Sequence, residues 1–294
     1  MIYAFRILEI VFPVVALFIL GFTYGRWRKV DPKVLAEIVL FLLAPAVVFD
    51  ALARQSIDIR QLMHAVGISL TIHIIPGLIA WIIYKAAGIR SRTFVPCVMV
   101  MNAVSLPYPL ALLAFGQEGL AQVVLLSIPN IFITFSIGLY LHAGRTMGRE
   151  PLRMPALWAA IAGLAIALAG IPVPKFFLRF TELTGRGMFP VELFALGYRL
   201  RLIRISDLRF SLLVSALRFT LGFSVAWALS SLLAIEGTLR AGLFLISCSP
   251  PAVLNYVFAE RYGDEGARAA SVVFTGTVFS LITTPLVLLY LELT

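Results

Sequence analysis

The sequence has few charges and few of the residue types that form metal or redox sites. Only 13% of its 294 residues are charged, and it has three histidines and two cysteines, whereas 61% of its residues are hydrophobic. So few charges are atypical of a soluble domain, and apolar runs long enough to cross a bilayer recur along the whole chain. The composition therefore predicts an all-α polytopic membrane protein.

The remaining scarce features exclude several other classes. Cys97 and Cys248 both lie in apolar runs, so we expect small packed hydrophobes and neither a disulfide nor a metal site. The N-terminal segment lacks a small-residue cleavage site, so no signal peptide is expected. The net charge of +9 does not indicate nucleic-acid binding, because the basic residues cluster in loops between apolar runs. No cofactor is expected.

Apolar runs separated by charges and turn residues predict ten transmembrane spans. These spans fall near 3–25, 33–53, 61–84, 93–115, 119–142, 153–171, 181–201, 211–235, 241–261 and 268–291. Sixteen of the 24 Lys and Arg residues lie in the odd-numbered loops and six in the even-numbered ones. Because an excess of basic residues marks the cytoplasmic side, we expect a cell (inner) membrane protein with both termini on the extracytoplasmic side.

Two short motifs occur twice at matching places in the chain. The stretch "FGQEGLA" at 115–121 recurs as "YGDEGAR" at 262–268, and "APAVVF" at 44–49 is echoed by "FPVELF" at 189–194. Each half, 1–146 and 147–294, then holds five spans. An odd number of spans inserts the second half upside down, so the sequence predicts two inverted five-helix repeats, an arrangement common in transporters.

Paired prolines interrupt the fourth span and the ninth. Pro107 and Pro109 lie near the middle of one, and Pro250 and Pro251 near the middle of the other. An interior proline removes a backbone donor, and unpaired carbonyls are tolerated in a membrane only where protein or a cavity receives them. The pattern predicts two broken helices that cross, with half-helix N-termini suited to an anion. Two independent kinks are the alternative.

Neutral polar side chains gather near these breaks. An asparagine can donate to a carboxylate without the cost of a buried charge, although each could instead join two helices. The predicted substrate-binding set consists of Asn102, Ser105, Pro107, Pro109, Asn130, Pro250, Pro251, Asn255 and Tyr256.

At these residues the chain resembles the auxin efflux carrier family, which includes bacterial malate or malonate permease-like proteins and lies in a superfamily with bile acid, arsenite and riboflavin transporters. Val104 and Pro107 stand where the family has glycines, and Leu254 displaces the ninth-span asparagine by one position. The matching residues are Asn102, Pro109, Phe115, Gly116, Glu118, Gly119, Leu120, Asn130, Pro250, Ala252, Ala259, Glu260, Arg261, Tyr262, Gly263 and Asp264. The resemblance implies that spans four and nine cross in a transport domain that moves against a scaffold of spans one, two, six and seven.

Charged and titratable residues inside the spans suggest how transport is energised. Glu192 is the deepest carboxyl, and it is either a proton-coupling group or part of a scaffold ion pair, with Arg218 as a candidate partner. His64 and His73 fall on opposite faces of span three, so we expect separate interhelical hydrogen bonds. An inside-negative potential drives anions outward unaided, so efflux without a coupling ion is the simpler hypothesis.

The sequence therefore predicts a non-enzymatic secondary or facilitative transporter of small organic anions, carboxylates, working by elevator-like alternating access. A cation-coupled symporter or antiporter of the same fold and a membrane-embedded ligand-binding receptor are the alternatives. The expected partners are the organic anion, the lipid bilayer, H⁺ or Na⁺ in the coupled case, and a second copy of the chain in a homodimer, with no nucleic acid.

Overall fold

The computed structural model describes residues 2–28, 31–143, 151–203, 205–262 and 265–293, and this part of the chain is almost entirely helical. The predicted boundary between 146 and 147, both terminal residues, and Gly263 and Asp264 of the second motif lie outside the described residues. The α-helices are α1 (Ile2–Tyr24), α2 (Pro32–Ile38), α3 (Ala44–Ala53), α4 (Ile59–Ala86), α5 (Phe94–Met99), α6 (Pro107–Ile133), α7 (Leu139–Ala143), α8 (Pro155–Ala169), α9 (Lys175–Arg186), α10 (Met188–Leu202), α11 (Leu208–Leu232), α12 (Gly237–Ser247), α13 (Val253–Tyr262) and α14 (Gly266–Leu293).

Several of these helices are long and apolar enough to cross a bilayer. Within the described residues there are six such segments, and two shorter apolar helices, α8 and α12, accompany them. The six segments are Phe5–Tyr24, Val34–Ala53, Ile59–Ala86, Pro107–His142, Leu208–Leu232 and Gly266–Leu293. The prediction of a polytopic helical membrane protein is confirmed at this level.

The polarity of the molecule is that of a protein in lipid. Large apolar side chains such as Phe12, Ile82 and Leu286 are exposed on the outer faces of the long helices. Arg218 and His73, in contrast, are completely buried. Lipid solvates apolar surfaces and cannot hydrogen-bond to polar groups, so the polar groups must find partners inside the bundle.

Close helix packing divides the bundle into two groups. In the first group α1 packs on α10 and α3 packs on α8; in the second, α6 packs on α12, and α14 on α11 and α13. Glycines bring the helices of the first group together, because a Cβ at Gly21 would overlap the carbonyl of Phe194, and one at Gly163 would crowd Leu52 and Phe49 O. Small residues at such contacts are typical of membrane helices.

Two of the long helices have an aspartate as the N-cap residue. The Asp58 side chain accepts a hydrogen bond from the N–H of Gln61 at 2.7 Å and begins α4, and the Asp207 side chain accepts one from Phe210 at 3.1 Å and begins α11. Each aspartate satisfies a donor that the first helical turn leaves unpaired. The third and eighth predicted spans therefore start alike.

Two span boundaries differ from the predicted ones. The segment predicted as span seven is divided between α9 and α10, which meet at Gly187. α9 carries exposed Phe176, Phe180 and Leu183 together with basic residues, a composition typical of a helix at the membrane surface. Spans four and five share α6, in which Gly116 has φ 66° and ψ −159°, so the chain turns sharply there between two helical parts. Glycine tolerates this backbone conformation without strain.

Candidate functional site

Two non-helical segments interrupt the bundle where the paired prolines lie. The first break, residues 100–106, separates α5 from α6, and the second break, residues 248–252, separates α12 from α13. Pro107 is the first residue of α6 and Pro109 lies in its first turn, positions where a proline is compatible with a helix. The prolines therefore begin the second half-helix and do not kink a continuous one.

The two breaks pair with each other through one isolated antiparallel β-bridge. Met101 forms a bridge with Pro251. The N–H of Asn102 donates to Pro250 O at 2.8 Å, and the N–H of Ala252 donates to Val100 O at 3.0 Å. These hydrogen bonds satisfy backbone groups that would otherwise be unpaired inside the bundle. Gly276 lets α14 approach the pair, because a Cβ there would lie 2.5 Å from Pro251 Cδ.

Asn255 fastens the second half-helix to the first break. Its Nδ2 donates to Val100 O at 3.0 Å, and its Oδ1 lies 3.3 Å from His142 Nε2. The side chain is 1% exposed. With its oxygen and one amide hydrogen bonded inside the protein, Asn255 has little capacity left for a solute. It holds the crossing together.

Asn102 accepts a hydrogen bond within the first break, and its amide Nδ2 group has no acceptor among the described residues. Its Oδ1 accepts a hydrogen bond from the N–H of Ser105 at 3.1 Å, which closes a local turn. Among the described residues nothing accepts from Asn102 Nδ2. Ser105 in turn donates from Oγ to Glu192 Oε1 at 2.6 Å. The break therefore reaches α10 through this contact. Arg218, the candidate partner of Glu192, forms no ion pair with it among the described residues.

Asn130 of α6 is bonded to a histidine of α4. Its Oδ1 lies 2.7 Å from His73 Nε2, and His73 Nδ1 lies 2.6 Å from Ser69 O. Since a carbonyl only accepts, His73 Nδ1 donates to Ser69 O. His73 joins α4 to α6 as predicted, whereas His64 is exposed.

The donors available for an anion lie mainly in the breaks and not in the first turn of α6, which corrects the sequence-based interpretation. Prolines remove two N–H groups from that turn, and the N–H groups of Tyr108 and Leu110 bond to Val104 O and Leu106 O. In the two breaks and the first two residues of α13, the N–H groups that have no acceptor among the described residues are those of Met101, Ala103, Val104, Leu106, Val253 and Leu254.

Arg218 of α11 contacts residues in or beside both breaks. Its guanidinium donates to Ser247 O at 2.6 Å, to Val98 O at 3.2 Å and to Ser249 O at 3.3 Å, and it contacts Met101 Sδ at 3.2 Å. It is 0% exposed. Sequence reasoning named this residue only as a candidate partner of Glu192 and missed its partners, which are backbone carbonyls.

Tyr256 follows Asn255 on α13 and is only partly buried. Among the described residues its hydroxyl makes no hydrogen bond to either break. The predicted residues that the structure brings together are Asn102, Ser105, Pro250, Pro251 and Asn255.

Each copy of the first repeated motif contains a glutamate that binds residues at or just before the start of a broken helix. Glu265 Oε2 accepts from Ser91 Oγ at 2.8 Å and from the N–H and Oγ1 of Thr93 at 3.0 and 2.9 Å, before α5. Glu118 Oε1 accepts from Thr238 Oγ1 at 2.8 Å, at the start of α12. Burial raises the pKa of Glu265, but these hydrogen bonds and the charge of Arg268 outweigh burial and lower the pKa below its ordinary value.

The apolar bundle, with a polar crossing buried inside it, is that of a multi-pass membrane transporter. The model of a family described as "Membrane transport protein", the auxin efflux carrier group, matches residues 140–288. This match covers about half of the chain, and the chain belongs to that family. The resemblance stated from the motifs is confirmed at the level of the family.

Two archaeal proteins are similar over nearly their whole length. One, called an uncharacterized transporter of Methanocaldococcus jannaschii, is 23% identical over 295 residues, covering 94% of this chain and 96% of the relative. The other, an uncharacterized transporter of Methanothermobacter thermautotrophicus, is 27% identical over 294 residues, covering 95% and 96%. Both support transport as the function and neither carries a substrate in its name.

Proposed function

We propose that this protein moves small organic anions, carboxylates of the malate or malonate type, across the cytoplasmic membrane by elevator-like alternating access. The observation that carries the proposal is the antiparallel pairing of the two breaks inside the bundle, beside free N–H donors and the amide of Asn102. A cluster of N–H donors next to a buried guanidinium favours a negatively charged solute.

Repeated contacts support two inverted five-helix repeats, 1–146 and 147–294, and ten spans. Glu118 binds Thr238 across the halves, and Glu265 binds Ser91 in the reciprocal direction. In the sequence, Glu118 and Glu265 are the same number of residues apart as Ser91 and Thr238. A two-fold relation between the halves explains both bonds with one geometry.

The same relation applies to the helix pairs of the first group. Gly163 of α8 lies against Phe49 of α3, and Gly21 of α1 lies against Phe194 of α10. Phe49 and Phe194 end the second repeated motif. We propose that the first group is the scaffold and that the second group, which contains both breaks, moves against it.

Direction follows from the membrane potential. An inside-negative potential of about 100 mV favours outward movement of each anionic charge by about 2.3 kcal/mol. We therefore propose efflux, with both termini on the extracytoplasmic side and two copies of the chain in a homodimer.

The proposal is tested with the purified chain in proteoliposomes, using labelled malate, malonate and other carboxylates, with a labelled organic cation as the control. We expect saturable uptake and counterflow of at least one carboxylate, net flux that follows an imposed potential in the anion's direction, and no cation flux. Saturable binding without flux would instead identify a receptor, and exchange of cations for protons would identify an antiporter.

One contact favours a second candidate, a proton-coupled version of the same transport. Glu192 accepts a hydrogen bond from Ser105 in the first break, so its charge acts on the site directly. A carboxylate beside an anion site opposes binding unless it is protonated. Imposed pH gradients at zero potential separate the two candidates, because only the coupled transporter accumulates the carboxylate under them.

A further inference from the structure

The carbonyls freed by the two breaks converge on one buried side chain. Val98 O lies in the last turn of α5, Ser247 O lies at the end of α12, and Ser249 O lies in the second break. All three accept from the guanidinium of Arg218 at 2.6–3.3 Å. The last carbonyls of a helix have no intrahelical partner and carry the negative end of its dipole, so these ends need a cation.

The positive charge of Arg218 has no carboxylate beside it. Among the described residues no Asp or Glu oxygen lies within 4.0 Å of its guanidinium. The residue is 0% exposed, so water does not solvate the charge. A buried unpaired charge is expensive, and the carbonyl oxygens are what stabilise it here.

This is the arrangement by which other transporters bind sodium. In transporters with discontinuous helices, unwound backbone carbonyls and the C-terminal ends of half-helices coordinate the coupling Na⁺. Here Arg218 already occupies those oxygens. The planar guanidinium has five donors and can reach separate carbonyls on two helices, which the compact ammonium of a lysine does less well.

We propose that Arg218 is a resident cation that takes the place of a coupling Na⁺ at the crossing, so that anion transport by this protein is independent of Na⁺. The inference rests on the proposed transport of anions, and it adds that Arg218 supplies the positive charge at the anion site. A covalently fixed cation is present in every step of the cycle, and the site attracts an anion without first binding an ion from solution.

The test compares the full-length protein with Arg218→Met, which removes the charge but keeps an apolar chain, and with Arg218→Lys, which keeps the charge. Arg186→Met is the matched control, since Arg186 is an exposed arginine far from the carbonyls, bound to Glu182. Thermal unfolding of the purified proteins is measured in NaCl and in choline chloride at equal ionic strength. Labelled malate flux is measured in the same two salts.

For each of the wild type, R218K and R186M, we expect the melting temperature and the flux measured in NaCl to equal those measured in choline chloride. For R218M we expect flux in choline to fall at least about tenfold, because hydrogen bonds to a buried charge are lost, and Na⁺ to raise both stability and flux. Flux or stability of the wild type that requires Na⁺ overturns the proposal. So does an R218M protein that ignores Na⁺, whether active or inactive.

If R218M does not fold, the wild type and R218K still decide, since Na⁺ dependence in either contradicts the proposal and its absence in both supports it. Failure of the proposed function gives a different result. In that case no carboxylate crosses the membrane in either salt, while the unfolding measurement, which needs no substrate, still reports whether Na⁺ binds.

Discussion

Ser105 Oγ donates a 2.6 Å hydrogen bond to Glu192 Oε1, and this bond joins the first break to α10. The two residues belong to different packing groups of the bundle, because α10 packs on α1, whereas the helices that flank the first break pack on α4 and α12. Any movement of one group against the other must break this bond. In the proposed mechanism, the charge of Glu192 acts on the anion site and its bond to Ser105 limits the movement of the second group.

Replacing Glu192 by Gln tests the electrostatic part of this role. The amide oxygen still accepts from Ser105, but the negative charge beside the anion site is gone. We expect the KM for the transported carboxylate to fall at least about threefold, because repulsion between like charges in a low-dielectric site is removed. Transport kinetics in proteoliposomes measure it, with Glu9→Gln, an exposed carboxyl on α1, as the control. An unchanged KM in E192Q contradicts the role.

Asn102→Asp separates binding from folding. The carboxylate of Asp still accepts from the N–H of Ser105, so the turn in the first break is kept. It removes the free Nδ2 donor and adds a negative charge where the anion would lie. We expect a melting temperature close to that of the wild type and loss of carboxylate binding and flux. Wild-type flux in N102D would remove Asn102 from the binding site.

Asn255→Ala should have the opposite profile. It deletes the bond to Val100 O and leaves His142 without its partner, so the crossing loosens. Two lost buried hydrogen bonds cost roughly 2–4 kcal/mol in total. Denaturation of the purified protein in detergent measures the loss. A stability equal to that of the wild type would show that Asn255 does not hold the breaks together.

His73→Leu tests whether the orientation of Asn130 matters. Leucine fills much of the same buried space but cannot bond to the amide, which among the described residues then keeps only its 3.5 Å contact with Thr134 Oγ1. We expect a folded protein whose apparent affinity for the carboxylate falls at least about fivefold, the order of one lost hydrogen bond. His64→Leu on the same helix is a matched control, because His64 is exposed. Equal affinities in the two variants would make the contact purely structural.

Glu265 gives a prediction about acid stability. The pKa of Glu265 in the folded protein lies below its ordinary value. Its contribution to the free energy of unfolding is therefore fully present above the pKa of the unfolded chain, near 4.3. This contribution is lost as the pH falls through the pKa of the folded state. The wild type should therefore lose more melting temperature than Glu265→Gln between pH 6 and pH 3. Parallel curves for the wild type and E265Q contradict this interpretation.

Much of the architecture is encoded in local sequence patterns. The long apolar runs predict the membrane helices, because lipid leaves no other way to satisfy the backbone. The paired prolines at 107 and 109 and at 250 and 251 predict where α6 and α13 begin, since proline cannot continue the preceding turn. Gly116 marks the turn between the two parts of α6 for an equally local reason.

The partners of buried polar groups could not be predicted in the same way. Arg218 binds backbone carbonyls, which every residue has, so no sequence pattern distinguishes Val98, Ser247 and Ser249. Glu192 and Ser105 lie far apart in the chain, and only the packing of the two groups brings them together. The prolines also led to a wrong expectation about the first turn of α6. They were expected to mark free N–H donors there, but Pro107 and Pro109 have no N–H group, and those of Tyr108 and Leu110 are already bonded.

The most direct test of the account is a density map of the protein with a transported carboxylate bound. We predict density for the anion in the first break, within hydrogen-bond distance of Asn102 Nδ2 and of the free N–H groups of Ala103 and Val104. Density for the carboxylate at another place, such as the polar cluster of Asp50, Thr181 and Glu182, with none at the breaks, would contradict it.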